Sequence, residues 1–201
     1  MLDEFREAVR ATEPYYLCLG NCYILTVRSS CKKLLDLPTY YINFQGASDK
    51  GLYCYSLLEG CQGVFFFSAW ANIASVATTK YFHHWRKILD ELLMIGCPVI
   101  MVEAPLSQKH YKHPQTGKGI SMETLELNRA KYVKEVIDAM AHPSLRYTDM
   151  ADIVGYDSRY LVDQYPTRAP WHLSNIAIQK VTRYFMKTII AGKDSMVPLS
   201  L

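Results

Sequence analysis

Hydrophobic residues fall into two alternating patterns along the chain. Tyr15-Tyr16-Leu17-Cys18-Leu19, Gly63-Val64-Phe65-Phe66-Phe67 and Pro98-Val99-Ile100-Met101-Val102 are short runs without polar alternation, as expected of strands covered on both faces. Thr39-Tyr40-Tyr41-Ile42-Asn43-Phe44 is rich in β-formers, and a last strand is expected within Leu145 to Ile153. The intervening stretches carry helical spacing: Glu4 to Thr12, about Ile24 to Leu35, a short Leu52 to Leu58, and a long Thr78 to Met94 ended by Gly96. Met122, Leu125, Val133, Val136, Ile137 and Met140 predict one amphipathic helix. A final helix is predicted with Ile176, Val181, Tyr184, Phe185 and Ile189 on its buried side.

Strands separated by helices imply βαβ units. The predicted fold is α/β, a three-layer α/β/α arrangement around a mostly parallel sheet of about five strands. No linker or repeat divides the chain, so residues 1–192 are expected to form one domain, with 193–201 as a C-terminal tail. At 201 residues, half of them apolar, the chain can bury a full core.

Composition narrows the functional classes. A net charge of +3 without a Lys/Arg run gives no nucleic-acid surface, and the 15 tyrosines are scattered rather than interleaved with basic residues. The start, Met1-Leu2-Asp3-Glu4-Phe5-Arg6-Glu7, lacks signal-peptide character, and no apolar run reaches membrane-span length. The chain is therefore expected to be soluble and cytoplasmic, without a membrane span. Its six cysteines form no CxxC and are expected to remain thiols.

Candidate chemistry gathers after the strands, because open parallel sheets build sites at the carboxyl ends of their strands. Leu19-Gly20-Asn21-Cys22 closes the first strand and opens a helix. Cys22 would then stand near a helix amino terminus, where the dipole favours thiolate; its alternative is a small buried hydrophobe. The second strand leads to Gly46, the third to Ser68-Ala69-Trp70-Ala71-Asn72, and Pro170-Trp171-His172-Leu173-Ser174 precedes the final helix. A thiol, a glycine amide, an amide side chain and an imidazole on one edge suit acyl transfer. His172 would be the base and the amides of Cys22 and Gly46 with Asn72 would form the oxyanion hole. Gly46 as a turn residue, Asn72 as a helix cap and His172 as a structural histidine remain the alternative readings.

These segments resemble the SGNH (GDSL-type) hydrolase and acyltransferase family. In that family a Gly-Asp-Ser turn follows strand one, a glycine follows strand two, a Gly-x-Asn follows strand three, and an Asp-x-x-His precedes the last helix. Gly20-Asn21-Cys22, Gly46 and His172 take the corresponding places in order, from Tyr15 to about Ile190. Two blocks depart from the pattern. Ser68-Ala69-Trp70 stands where Gly-x-Asn belongs, so Asn72 fits only with a longer turn, and Ala169 occupies the place of the acid. The resemblance thus implies a Cys22–His172 dyad, which a thiol sustains more easily than a hydroxyl because its pKa lies nearer neutrality.

The turn also resembles polysaccharide-biosynthesis proteins of the WcbI type, associated with coenzyme A and acetyl transfer to capsular sugars, although Tyr23 stands where their glutamine follows. This implies acyl transfer to a sugar in preference to hydrolysis, with a small-molecule or carbohydrate substrate. A coenzyme A thioester would be the donor, and no cofactor is required. Lys109, His110, Lys112 and His113 form a basic loop that could grip an anionic group such as the coenzyme A phosphates; a solvated loop is the alternative. Asn21, Trp70 and Trp171 are further candidate binding residues. No metal site is expected, since His83 and His84 diverge by about 100° on a helix. No Walker or Rossmann fingerprint follows the first strand. The competing functions are a non-catalytic binding or assembly module with a degenerate site, and a flavodoxin-like binder.

Overall fold

A computed structural model describes residues 2–20, 28, 30, 33–43, 57–67, 79–103, 121–154 and 175–195. Five strands, β1 (Tyr15–Gly20), β2 (Thr39–Asn43), β3 (Cys61–Phe67), β4 (Val99–Glu103) and β5 (Leu145–Asp149), form one sheet in the order β2-β1-β3-β4-β5. Every pairing is parallel. The helices are α1 (Leu2–Val9), α2 (Thr79–Leu93), α3 (Met122–Tyr132), α4 (Met150–Val154) and α5 (Asn175–Ser195). The predicted α/β class, with helices flanking an all-parallel five-stranded sheet, is the observed one.

Burial explains the unbroken apolar strands. All of β1 and β4, and all of β3 except Gln62, are buried, because helices cover both sheet faces. On one face Phe185 of α5 stacks on Phe65, with ring centroids 4.4 Å apart and planes 14° apart, and meets Tyr16 edge-on at 5.6 Å. Ile189 lies over Gly63, where an added Cβ would approach its Cδ1 to 2.2 Å. Met101, adjacent to Ile100 and so on the opposite face, receives the Tyr132 hydroxyl of α3 at 3.9 Å from its Sδ. At the β2 side, Arg28 pairs with Glu4 at 3.2 Å and lies 5.0 Å from the centre of the Tyr41 ring.

Three local expectations are corrected. The helix predicted as one amphipathic unit from Met122 to Met140 is α3 followed by a π-helical stretch, Val133–Asp138. Its wider turn lets Val136 and Ile137 both reach the core. Ile176, expected on the buried side of the final helix, is 61% exposed, while Ala177, Ile178 and Val181 take that side. The final helix also continues through Ser195, into the segment expected as a tail. Cys18, Cys61 and Cys97 are free thiols, and no described helix is long and apolar enough to cross a membrane.

Candidate active site

Strand order reverses between β1 and β3, since β1 leads on to β2 on one side and β3 to β4 on the other. Crevices at such switch points, beyond the carboxyl ends of the strands, are where open α/β sheets bind ligands. Gly20 ends β1 there and is in register with Phe67, the last residue of β3. Its φ is +143°, and a Cβ would lie 2.2 Å from the Phe67 carbonyl oxygen. Only glycine fits this contact, and the chain leaves the sheet from it. The glycine that the sequence marked as the hinge of the thiol turn therefore has a steric reason to be there.

The final helix converges on the same edge. Phe185 lies over Phe65, and Ile189 over Gly63. Moving along α5 thus means moving backwards along β3, so the two run antiparallel. Ten residues separate Phe185 from the helix start at Asn175, about 15 Å at 1.5 Å per residue. Phe65 to the end of β3 is only about 7 Å. The amino terminus of α5 consequently projects roughly 8 Å past the strand end, on the carboxyl edge. Ile176 is exposed because it lies about 180° around the helix from Phe185, while Ala177 and Ile178 of the same turn are buried.

A second polar group on this edge was not singled out from sequence. Glu103 ends β4, in register with Asp149 at the end of β5. It is fully buried at 0% exposure, and neither carboxyl oxygen has a hydrogen-bond partner among the described residues. Burial pushes its carboxyl up to about 8, against the pull of the Arg129 guanidinium, with Asp149 adding to the rise. Arg129 of α3 donates through Nη1 to Asp149 Oδ2. The Tyr132 hydroxyl is pushed well above its ordinary range by burial and by Glu103. Beside this cluster an open groove of about 670 Å³ runs between α3 and β5, lined by Glu126, Arg129, Lys134, Tyr147, Asp149 and Asp152. The available signal was a carboxylate closing an otherwise apolar strand, Val99-Ile100-Met101-Val102-Glu103.

Asn21, Cys22, Gly46, Trp70, Asn72, Lys109, His110, Lys112, His113, Trp171 and His172 lie outside the described residues. The described framework brings together the end of β1, the end of β3 and the start of α5, which flank Cys22, Asn72 and His172 in sequence. His83, on α2, is exposed.

The five-stranded parallel sheet with flanking helices is similar in fold to the SGNH (GDSL-type) hydrolases. No protein-family model and no curated protein sequence matches the chain. Solved structures do. A GDSL-like lipase from Bacteroides thetaiotaomicron superposes with a TM-score of 0.59 at 10% identity, over 97% of this chain and 98% of its own. The C-terminal catalytic domain of the Streptococcus pneumoniae peptidoglycan O-acetyltransferase A matches with a TM-score of 0.56 at 13% identity, over 92% and 97%. A protein from Streptococcus pneumonia named for platelet activating factor gives 0.62 at 13%, over 93% and 90%. The shared property is the fold, which is that of esterases and acyltransferases.

Proposed function

We propose that the chain is an acyl-transfer enzyme with Cys22 as nucleophile and His172 as proton carrier. The observation that carries this reading is Gly20: a position closed to any Cβ, at the switch point, two residues before the thiol. The antiparallel run of α5 supports His172, which precedes that helix by three residues in sequence. His172 takes the Cys22 thiol proton, the sulfur adds to the acyl carbonyl carbon, and the amides of Cys22 and Gly46 with Asn72 hold the oxyanion. The tetrahedral adduct expels the donor's leaving group, which takes a proton from the His172 imidazolium. A hydroxyl of the acceptor then gives His172 its proton, attacks the thioester and releases the thiol.

The donor is a coenzyme A thioester, its phosphates met by Lys109, His110, Lys112 and His113. The acceptor is a sugar hydroxyl, with water as the competing acceptor and Asn21, Trp70 and Trp171 lining the approach. Peptidoglycan O-acetylation by one structural neighbour is consistent with such an acceptor, as is the resemblance to the WcbI-type turn.

The dyad is tested by the pH dependence of His172→Ala on a chromogenic acetyl ester. An unassisted thiol with a pKa near 8.5 is only a few per cent thiolate at pH 7. The variant should lose about 10²-fold or more at pH 7 and recover much of that by pH 9, where the thiol ionises unaided. Equal wild-type and variant rates at both values would exclude His172 as the base.

A further inference from the structure

The opposite edge of the sheet holds a pair of thiols that this chemistry does not use. Cys61 is the first residue of β3, and Cys97 lies in the turn before β4. Both are buried, at 5% and 7% exposure, and the Cys97 thiol donates to Cys61 Sγ across 3.8 Å. The two parallel strands are neighbours, with Val64 opposite Val99. The irregularity of β3 at Gln62, where Tyr15 pairs with Cys61 and Tyr16 with Gly63, and the turn holding Cys97 let the two side chains meet with their sulfurs 3.8 Å apart, so reaching the S–S bond length of ~2 Å needs a closure of about 2 Å. One partner is anchored and the other can move. Cys61 belongs to the β3 ladder, whereas Cys97 follows Gly96, which has φ +81° and open space where a side chain would stand. A shift of this turn can bring the sulfurs to bonding distance.

We propose that Cys61 and Cys97 are a dithiol that closes reversibly to a disulfide when hydrogen peroxide oxidises it. The roles of the two sulfurs differ. The hydrogen bond from Cys97 draws the Cys61 thiol below its ordinary range, against the effect of burial, while Cys97 is held protonated. Cys61 Sγ, as thiolate, attacks one peroxide oxygen. The O–O bond breaks, and the departing oxygen leaves as water after taking a proton, so Cys61 becomes a sulfenic acid. Cys97 Sγ then attacks that sulfur, the S–O bond breaks, and a second water leaves with the Cys97 proton. Two thiols are oxidised by two electrons and one peroxide is reduced to two waters. The product ties the start of β3 to the start of β4, closing the intervening segment that contains α2. Six residues of β3 separate this pair from the carboxyl edge, about 20 Å, so it acts independently of Cys22.

The test treats the intact folded chain with excess hydrogen peroxide, quenches and alkylates it in denaturant, and maps the peptides. The expected result is a peptide pair joined through Cys61 and Cys97, lighter by about 2 Da than the two thiol peptides and separated by dithiothreitol. Oxidation should also raise the denaturation midpoint, and Cys97→Ala should abolish both effects. Should that variant fail to fold, Cys61→Ala carries the same expectation, and the wild-type map stands without either. Recovery of Cys61 and Cys97 as separately alkylated or over-oxidised peptides, or joined to other cysteines instead of each other, overturns the proposal.

Discussion

Replacing Gly20 with alanine should destabilise the protein severely. The new Cβ would stand 2.2 Å from the Phe67 carbonyl oxygen, 2.8 Å from its Cβ and 2.9 Å from its carbonyl carbon. Two of these are backbone atoms held in the β1–β3 pairing, so no flexible side chain can swing away. The backbone angle of +143° adds strain that L-residues accept only at a cost of about 1–3 kcal/mol. Relief requires β1 and β3 to part at the centre of the sheet, where Leu19, Phe66 and Phe67 are fully buried. A loss of about 4 kcal/mol or more belongs to this class of change. For a chain of this size that lowers the thermal midpoint by roughly 10–15 °C. Thermal denaturation followed by circular dichroism measures it; a midpoint within a few degrees of wild type would show that the β1–β3 contact is not as close as described. Any Gly20→Ala protein that remains folded should still lose acyl transfer, because the chain would leave the sheet along a different path.

Glu103→Gln should remove a pH dependence of stability that the wild type possesses. The buried carboxyl titrates near 8 in the folded chain against an ordinary 4.5. The folded state therefore keeps a proton that the unfolded state has already released. Its contribution is fully present below about pH 4.5, declines as pH rises through that window, and is gone above about pH 8. The span corresponds to something on the order of 4 kcal/mol, a sizeable share of a typical folding free energy. Glutamine has nearly the shape of the neutral acid and cannot ionise. Denaturant midpoints at pH 5, 7 and 9 should fall more steeply for the wild type, with the variant equal or slightly weaker at pH 5 and stronger at pH 9. Parallel profiles for the two proteins would show that Glu103 is solvated or paired.

The parts of the fold legible in sequence are those whose pattern has a single physical cause. Val64-Phe65-Phe66-Phe67 and Val99-Ile100-Met101-Val102 lack polar alternation because helices cover both faces, and that directly signals interior parallel strands. Gly20 was legible as a turn glycine, and the Phe67 carbonyl shows which neighbour demands it. The π-helical stretch from Val133 to Asp138 was not legible, since its apolar residues fit an ordinary helical period nearly as well. Ile176 misled for a different reason. Its apolar type suggests burial, but at 100° per residue it stands about 180° from Phe185, on the exposed side with Arg183, Lys187 and Ile190. Glu103 was invisible because a carboxylate at a strand end reads as the boundary of a buried run. Only the covering α3, through Tyr132 and Arg129, makes it interior. Of the candidate site, the framework of Gly20, the β3 end and the α5 start is described, while its proposed chemical groups lie outside the described residues.

The acyl-transfer reading is tested most directly on the sulfur itself. Intact-mass spectrometry after brief incubation with acetyl coenzyme A, and separately with an activated acetyl ester, should show one acetyl adduct on the wild type. Peptide mapping should place it on Cys22, and Cys22→Ala should abolish it while Cys61 and Cys97 remain unmodified. Equal acetylation of wild type and Cys22→Ala, or no adduct from either donor on folded protein together with no turnover, would contradict a catalytic thiol at the end of β1.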